Sequence, residues 1–161
     1  MADREEQKKD TSELLQLVSF MIGNEEFGAD IHFIHEINRM LQITKVPNSP
    51  NFVEGVINLR GRVIPVIDLR TKLGLLRKEN DKNTRIIVVD VSGKTVGFIV
   101  DAVKEVLRIP KDITEAPPDL ISGVNSEFIM AVGKLKDRLI TLIDLEKILA
   151  SNEKQNLSKV A

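Results

Sequence analysis

Short runs of β-branched and aromatic residues alternate along the chain with polar breaks that carry glycine, asparagine and proline. The clearest case is residues 52–70. There two apolar runs flank the polar turn Asn58-Leu59-Arg60-Gly61-Arg62. This pattern predicts a hairpin whose strands lie in a core. Gly61 can supply the positive φ that a tight turn needs. Pro65 cannot donate to a ladder, which predicts that its strand runs along an edge or a barrel rim. Asp68 as N-cap and Gly74 beyond the last turn predict a short helix over residues 69–73.

The same pattern occurs twice. Phe128 answers to Phe52 at an offset of 76 (128 − 52), and Arg138, Asp144 and Leu145 answer to Arg62, Asp68 and Leu69. Upstream, Gly97 answers to Gly28, Glu105 to Glu36, and Ile86-Ile87-Val88-Val89 to Leu17-Val18-Ser19-Phe20, at an offset of 69 (97 − 28). The offset drifts because the second copy has extra residues in its 117–127 loop. An internal duplication of about 70 residues follows. It predicts a single domain over residues 13–150 made of two tandem subdomains, about 13–80 and 81–150, with a charged linker at 77–84. Residues 1–12 and 151–161 read as polar tails.

Each copy yields about five strands and one short helix. Residues 14–22 read as a strand and 23–26 as a turn. Residues 27–40 are ambiguous between helical spacing of Ile31, Ile34, Ile37 and Leu41 and an extended reading. The extended reading is preferred, because the matching residues 96–109 hold β-branched Val103 and Val106. Short strands with frequent turns predict an all-β fold of two small five-stranded barrels and a C-terminal helix over 144–151. One 70-residue unit buries a marginal core, so the two are expected to share apolar contacts and to melt together.

Composition narrows the chemistry. Net charge is −1, which gives no bulk drive toward nucleic acid or anionic membrane. Cysteine is absent, which removes disulfides, thiolate nucleophiles and cysteine-based metal sites. The six aromatics are all Phe, a poor supply of stacking platforms for single-stranded nucleic acid. The first ten residues are too polar for a signal peptide, and no apolar run reaches the 18 residues of a membrane span, so the expected compartment is the cytoplasm. Ser92-Gly93-Lys94-Thr95 imitates the end of a phosphate-binding loop, but Val88 stands where the first glycine belongs, and a hairpin turn is the better reading. His32, His35 and Glu36 lack an evident third metal ligand and read as solvent-facing. Asp68 and Asp144 are repeat equivalents and read as helix caps rather than as a catalytic pair. No catalytic residue, metal site or cofactor is expected.

The two copies differ at turns. Asn58, Arg60 and Gly61 become Lys134, Lys136 and Asp137, and Glu54-Gly55 becomes Met130-Ala131. Drift at a structural turn accounts for this as readily as function does. The functional reading is a charged ledge on the first copy, with Arg60 as the anchor for a protein partner.

One long series of motifs resembles a known family. Glu26-Phe27-Gly28, Ile34-His35-Glu36-Ile37, the stretch from Val46-Pro47-Asn48 through Gly55-Val56-Ile57-Asn58-Leu59-Arg60-Gly61, and Val63-Ile64-Pro65-Val66-Ile67-Asp68-Leu69 resemble the bacterial chemotaxis coupling proteins of the CheW family. The resemblance runs from about residue 14 to residue 149. It implies two intertwined SH3-like barrels and a non-enzymatic adaptor that joins the cytoplasmic tip of chemoreceptors to the regulatory domain of the histidine kinase CheA. Receptor contact would fall on Ile34, Glu36, Gly55, Asn58, Arg60 and Gly61. Arg60 would meet an acidic or carbonyl group, Glu36 a basic or amide group, and Gly55 would admit the receptor helix closely. Kinase contact would fall on Ile31 and Ile34, with Val100 and Val103 on the second barrel. Glu54 stands where the family often has a basic residue, which implies an altered receptor preference. The same resemblance admits a second reading, an isolated regulatory-type domain that scaffolds another two-component system.

Overall fold

A computed structural model describes residues 14–116 and 126–150, and the two polar tails and most of the 117–127 loop lie outside the described residues. The first repeat supplies β1 (Leu14–Ile22), β2 (Glu25–Asp30), β3 (Ile34–Arg39), β4 (Val53–Leu59), β5 (Arg62–Asp68) and α1 (Leu69–Lys72). The second supplies β6 (Arg85–Val91), β7 (Lys94–Val100), β8 (Ala102–Pro110), β9 (Thr114–Glu115), β10 (Ile129–Lys134), β11 (Leu139–Ile143) and α2 (Leu145–Ala150). Residues 27–40 are extended, as expected, except for one 3-10 turn at Ile31–Phe33, where Asp30 accepts from the His32 N–H at 2.9 Å.

The sheets do not coincide with the sequence repeats. One sheet has the order β3-β6-β7-β5-β4 and the other β8-β1-β2-β11-β10-β9. Each repeat therefore gives its first hairpin to the other's sheet: β6-β7 joins β3, β4 and β5, while β1-β2 joins β8 to β11. The two crossings are equivalent. Val66 pairs with Gly97 in the parallel β5-β7 contact, and Leu142 pairs with Gly28 in the parallel β11-β2 contact. The expected division near residue 80 separates the repeats in sequence but cuts across both sheets.

Both faces of the central strands are buried, which explains their near-continuous apolar runs. In β6 the alternation is plain. Ile87 and Val89 enter a core shared by both sheets, while Ile86 and Val88 enter a smaller core inside their own sheet. Equivalent residues occupy equivalent cores. Phe52 and Phe128, Ile67 and Ile143, and Leu69 and Leu145 lie in the shared core. Ile64 and Val66 fill the inner core of one sheet, as Ile140 and Leu142 fill that of the other. The Phe20 and Phe27 rings stack with centroids 6.0 Å apart. Lys72 stands where the second copy has Ile148 and is only 7% exposed. Its Nζ lies 4.1 Å from the Phe52 ring centroid and 5.7 Å from that of Phe128, so one cation touches both equivalent rings.

The helix punctuation matches the sequence. Asp68 accepts from the Arg70 N–H at 3.2 Å and from the Thr71 hydroxyl at 3.0 Å. Gly74 (φ +84) donates to Thr71 O at 3.1 Å and Leu75 to Arg70 O at 2.8 Å, the paired bonds of a Schellman ending. Asp144 accepts from the Lys147 N–H at 3.1 Å at the start of α2. Pro65 differs from expectation, since β5 is an interior strand. Its missing donor is harmless for two reasons. The β5-β7 ladder begins one residue later, at Val66, and its β4 partner Val56 exchanges its own backbone bonds with Thr44.

Candidate functional site

The turn between β4 and β5 is two residues long, closed by the Leu59-Arg62 pair. Arg60 has φ +52 and Gly61 φ +84, the two positive values that a type I′ hairpin turn demands. Gly61 meets this freely. Arg60 does so against the steric preference of its Cβ. Asn58 supports the turn, its Oδ1 accepting from the Gly61 N–H at 2.9 Å. Ser92-Gly93 forms a second turn with φ +51 and +80, as the hairpin reading of that stretch expects.

From this turn the exposed Arg60 guanidinium reaches the outer strand β3 and forms an ion pair with Glu36 Oε2. Asn38 Nδ2 holds the other carboxylate oxygen at 2.8 Å. The bond from Asn38, and then the bond and charge of Arg60, hold the Glu36 carboxyl below the usual carboxylate range against the opposing effect of desolvation. His35 Nε2 lies 3.6 Å from the same Oε2, and its Nδ1 lies 3.2 Å from Asp90 Oδ2 on β6. Asp90 accepts in turn from Thr95 Oγ1, and Thr95 Oγ1 accepts from Arg62 Nη2 at 3.1 Å. A ring of polar contacts thus leaves the turn at Arg60 and returns to it at Arg62.

Glu36, Asn58, Arg60 and Gly61 are accordingly brought together. Ile34 lies on β3, half-buried against the shared core. Gly55 is different. It is buried at a bulge between β4 and β5 with φ +149, and a Cβ there would sit 2.2 Å from Thr44 O. Its lack of a side chain admits the chain's own Thr44 segment, so it offers no open approach to a partner helix.

The residues expected to face the kinase also separate. Val100 is 1% exposed inside the shared core and presents nothing to a partner. Val103 and Ile34 are half-buried against that core, and Ile31 sits half-buried in the 3-10 turn. The exposed apolar side chains among the described residues include their strand neighbours Ile37, on β3, and Val106, on β8, together with Val63 and Leu139. These form two repeat-equivalent pairs, Ile37 with Val106 and Val63 with Leu139. Half-buried and exposed positions alternate along β3, so Ile37 turns outward while Ile34 stays against the core. The signal for finding them was the repeat itself, read for exposure instead of core.

Two further ion clusters had no sequence signal. Arg70 grips Asp101 with two bonds, from Nε at 3.0 Å and from Nη2 at 2.5 Å, and the Gly23 N–H donates to the same carboxylate at 2.7 Å. Burial pushes the Asp101 carboxyl up, but the bonds from Arg70 and Gly23 outweigh it and the group lies below its usual range. In the other sheet Arg138 Nε donates to Glu26 Oε1 at 2.7 Å, and Ser19 donates to Oε2. This contact is the counterpart of Arg62 with Thr95, since Thr95 matches Glu26 (95 − 26 = 69). Among the described residues, no group of three or more His, Asp or Glu side chains is placed to hold a metal. No helix of the described residues is long and apolar enough to cross a membrane.

Two sheets, built from repeats that exchange their first hairpins and carrying charged turns and exposed apolar strand positions, define a duplicated all-β domain. The chain belongs to the CheW-like domain family, whose model matches residues 16–153. It is 39% identical over 142 residues to the chemotaxis protein CheW of Helicobacter pylori, covering 88% of this chain and 86% of that one. It is 40% identical over 137 residues to CheW of Thermotoga maritima, covering 83% and 87%. The solved structure of the scaffolding protein TtCheW from Thermoanaerobacter tengcongensis superposes with a TM-score of 0.80 at 38% identity, covering 88% of this chain and 96% of that one.

Proposed function

We infer that this protein is a chemotaxis adaptor that couples transmembrane chemoreceptors to the histidine kinase CheA within a receptor–kinase complex. The observation that carries the reading is Arg60. It is a charged side chain carried outward on an exposed turn and held at a fixed place by Glu36, which suits an anchor for a protein partner. The receptor's cytoplasmic tip, a helical hairpin, would bring a carboxylate or carbonyl to Arg60 and an amide or basic group to Glu36, with Asn58 and Gly61 beneath and Ile34 at the margin. Since Arg60 and Glu36 already satisfy each other, the receptor exchanges one pairing for two, which favours selectivity over raw affinity. The regulatory domain of CheA would dock on the outer strands, around Ile31, Ile34 and the exposed Ile37. A second kinase domain would use the equivalent edge of the other sheet, around Val106 and beside Val103. The adaptor works by linkage, because its contacts must differ between signalling states to change kinase output. It performs no catalysis and works in the cytoplasm at the receptor array.

The test is a pull-down with a CheA regulatory domain and a receptor signalling-tip fragment, each alone and then together. Simultaneous binding of both, with Arg60→Glu losing only the receptor, is the expected result. A folded protein that binds neither matched partner overturns the reading.

A further inference from the structure

We propose that His35 is a pH-sensitive positioning residue for Arg60, releasing its guanidinium to an acidic partner when the imidazole is protonated; the partner half of this rests on the reading above. The argument starts from one oxygen. Glu36 Oε2 is the atom that Arg60 binds, and it is also the atom that His35 Nε2 faces at 3.6 Å. Oε1 is already engaged by Asn38 at 2.8 Å, so a charged donor on His35 would share Oε2 with Arg60 and weaken its hold. On its other side the imidazole lies 3.2 Å from Asp90, so a proton on Nδ1 points at that carboxylate and leaves Nε2 bare. A bare Nε2 gives Oε2 nothing, and Arg60 keeps it. A second proton goes to Nε2 and aims a charged donor at Oε2.

The charged groups around the ring are then Glu36 on β3, Asp90 on β6, Arg60 at the turn, and Arg62, which reaches Asp90 through Thr95. Protonated His35 lies between two carboxylates and competes with Arg60 for one of them. It also adds a positive charge beside Arg60. Both effects favour Arg60 leaving for a carboxylate outside the chain. Imidazole is the side chain whose unperturbed charge change lies nearest neutral pH. The matching position of the second copy is Lys104, which carries no such titration. The device thus belongs to the first sheet, where the strained turn lies.

Side-chain NMR on the isolated protein tests the internal half. The Arg60 Nε–Hε resonance and the His35 Hε1 resonance are followed from pH 8 to pH 5.5 in the wild type, in His35→Gln and in Asp90→Asn. The Arg60 resonance is expected to move with the His35 midpoint in the wild type and to stay flat in His35→Gln. In Asp90→Asn the two midpoints are expected to move together. A wild-type Arg60 resonance that ignores the His35 titration, or one that still titrates in His35→Gln, overturns the proposal. The second arm measures binding of a receptor signalling-tip fragment at pH 7.5 and 6.0. Affinity is expected to rise about three- to tenfold at the lower pH in the wild type and to stay level in His35→Gln. Equal binding of the wild type at both pH values overturns the proposal. No binding at either pH, with coupled NMR titrations, overturns the receptor reading and supports the internal switch.

Discussion

Val66 and Gly97 are partners in a parallel strand pair, although they come from different sequence repeats. The pair is one half of a reciprocal exchange whose other half is Leu142 with Gly28. Every sheet contact across these seams is a contact between repeats.

The exchange predicts that neither half of the chain folds alone. Fragments cut within residues 78–83 are each expected to lack a cooperative thermal transition by circular dichroism. Mixing them restores one transition near that of the intact chain. A fragment that melts cooperatively alone would show that the sheets close without exchange.

Gly55→Ala is expected to destabilise the protein by about 2–4 kcal/mol, because the new Cβ meets Thr44 O at 2.2 Å in a backbone conformation that disfavours it. Urea unfolding reads this directly. If receptor binding is lost while the unfolding midpoint is unchanged, Gly55 contacts the partner after all.

Arg60→Asn separates stability from binding. Asn tolerates positive φ better than Arg, so hairpin stability is expected to hold or rise by about 0.5–1 kcal/mol even though the exposed ion pair with Glu36 is lost. Receptor-tip binding should fall at the same time. A lower melting temperature in this variant would make Arg60 a structural residue.

Asp101→Asn leaves the partly buried Arg70 guanidinium without its counter-charge and is expected to cost about 2–4 kcal/mol at pH 7. The Asp101 carboxyl is held below its unfolded value, so its contribution is full above that value and disappears as pH falls through the folded one. The gap between wild type and variant should therefore narrow below about pH 4. Glu26, also held low by Ser19, Arg138 and Lys104 despite its burial, adds to the same acid limb. Asp68 acts in the opposite sense, because burial pushes its carboxyl above its ordinary value. Guanidinium unfolding at pH 7 and pH 3.5 checks the narrowing.

Lys72→Ala removes a cation from two aromatic faces and a stem from the shared core, with an expected cost of about 1–3 kcal/mol. Measured stability equal to wild type would place the ammonium outside that core.

Local physics was legible in the residues themselves. Asp68 and Asp144 announce their helices, Gly61 and Gly93 their turns, and the runs around Val53 and Ile86 their strands, because capping, positive φ and period-two burial act within a few residues. The repeat was legible too, since equivalent core positions need equivalent volumes. Asn58, Arg60 and Gly61 stand together because they form one turn, while Glu36, 24 residues before Arg60, joined them in the sequence only through the family resemblance. The family resemblance implied that the two halves intertwine, and the tertiary structure decided which hairpin each repeat keeps. Backbone hydrogen bonds carry no residue identity, so similar hairpins from two repeats can pair within a repeat or across repeats. The same cause hid Gly55 beneath Thr44, buried Val100 while exposing Val106, and gave Arg60 an internal partner in Glu36. Each depends on chain that the fold brings alongside.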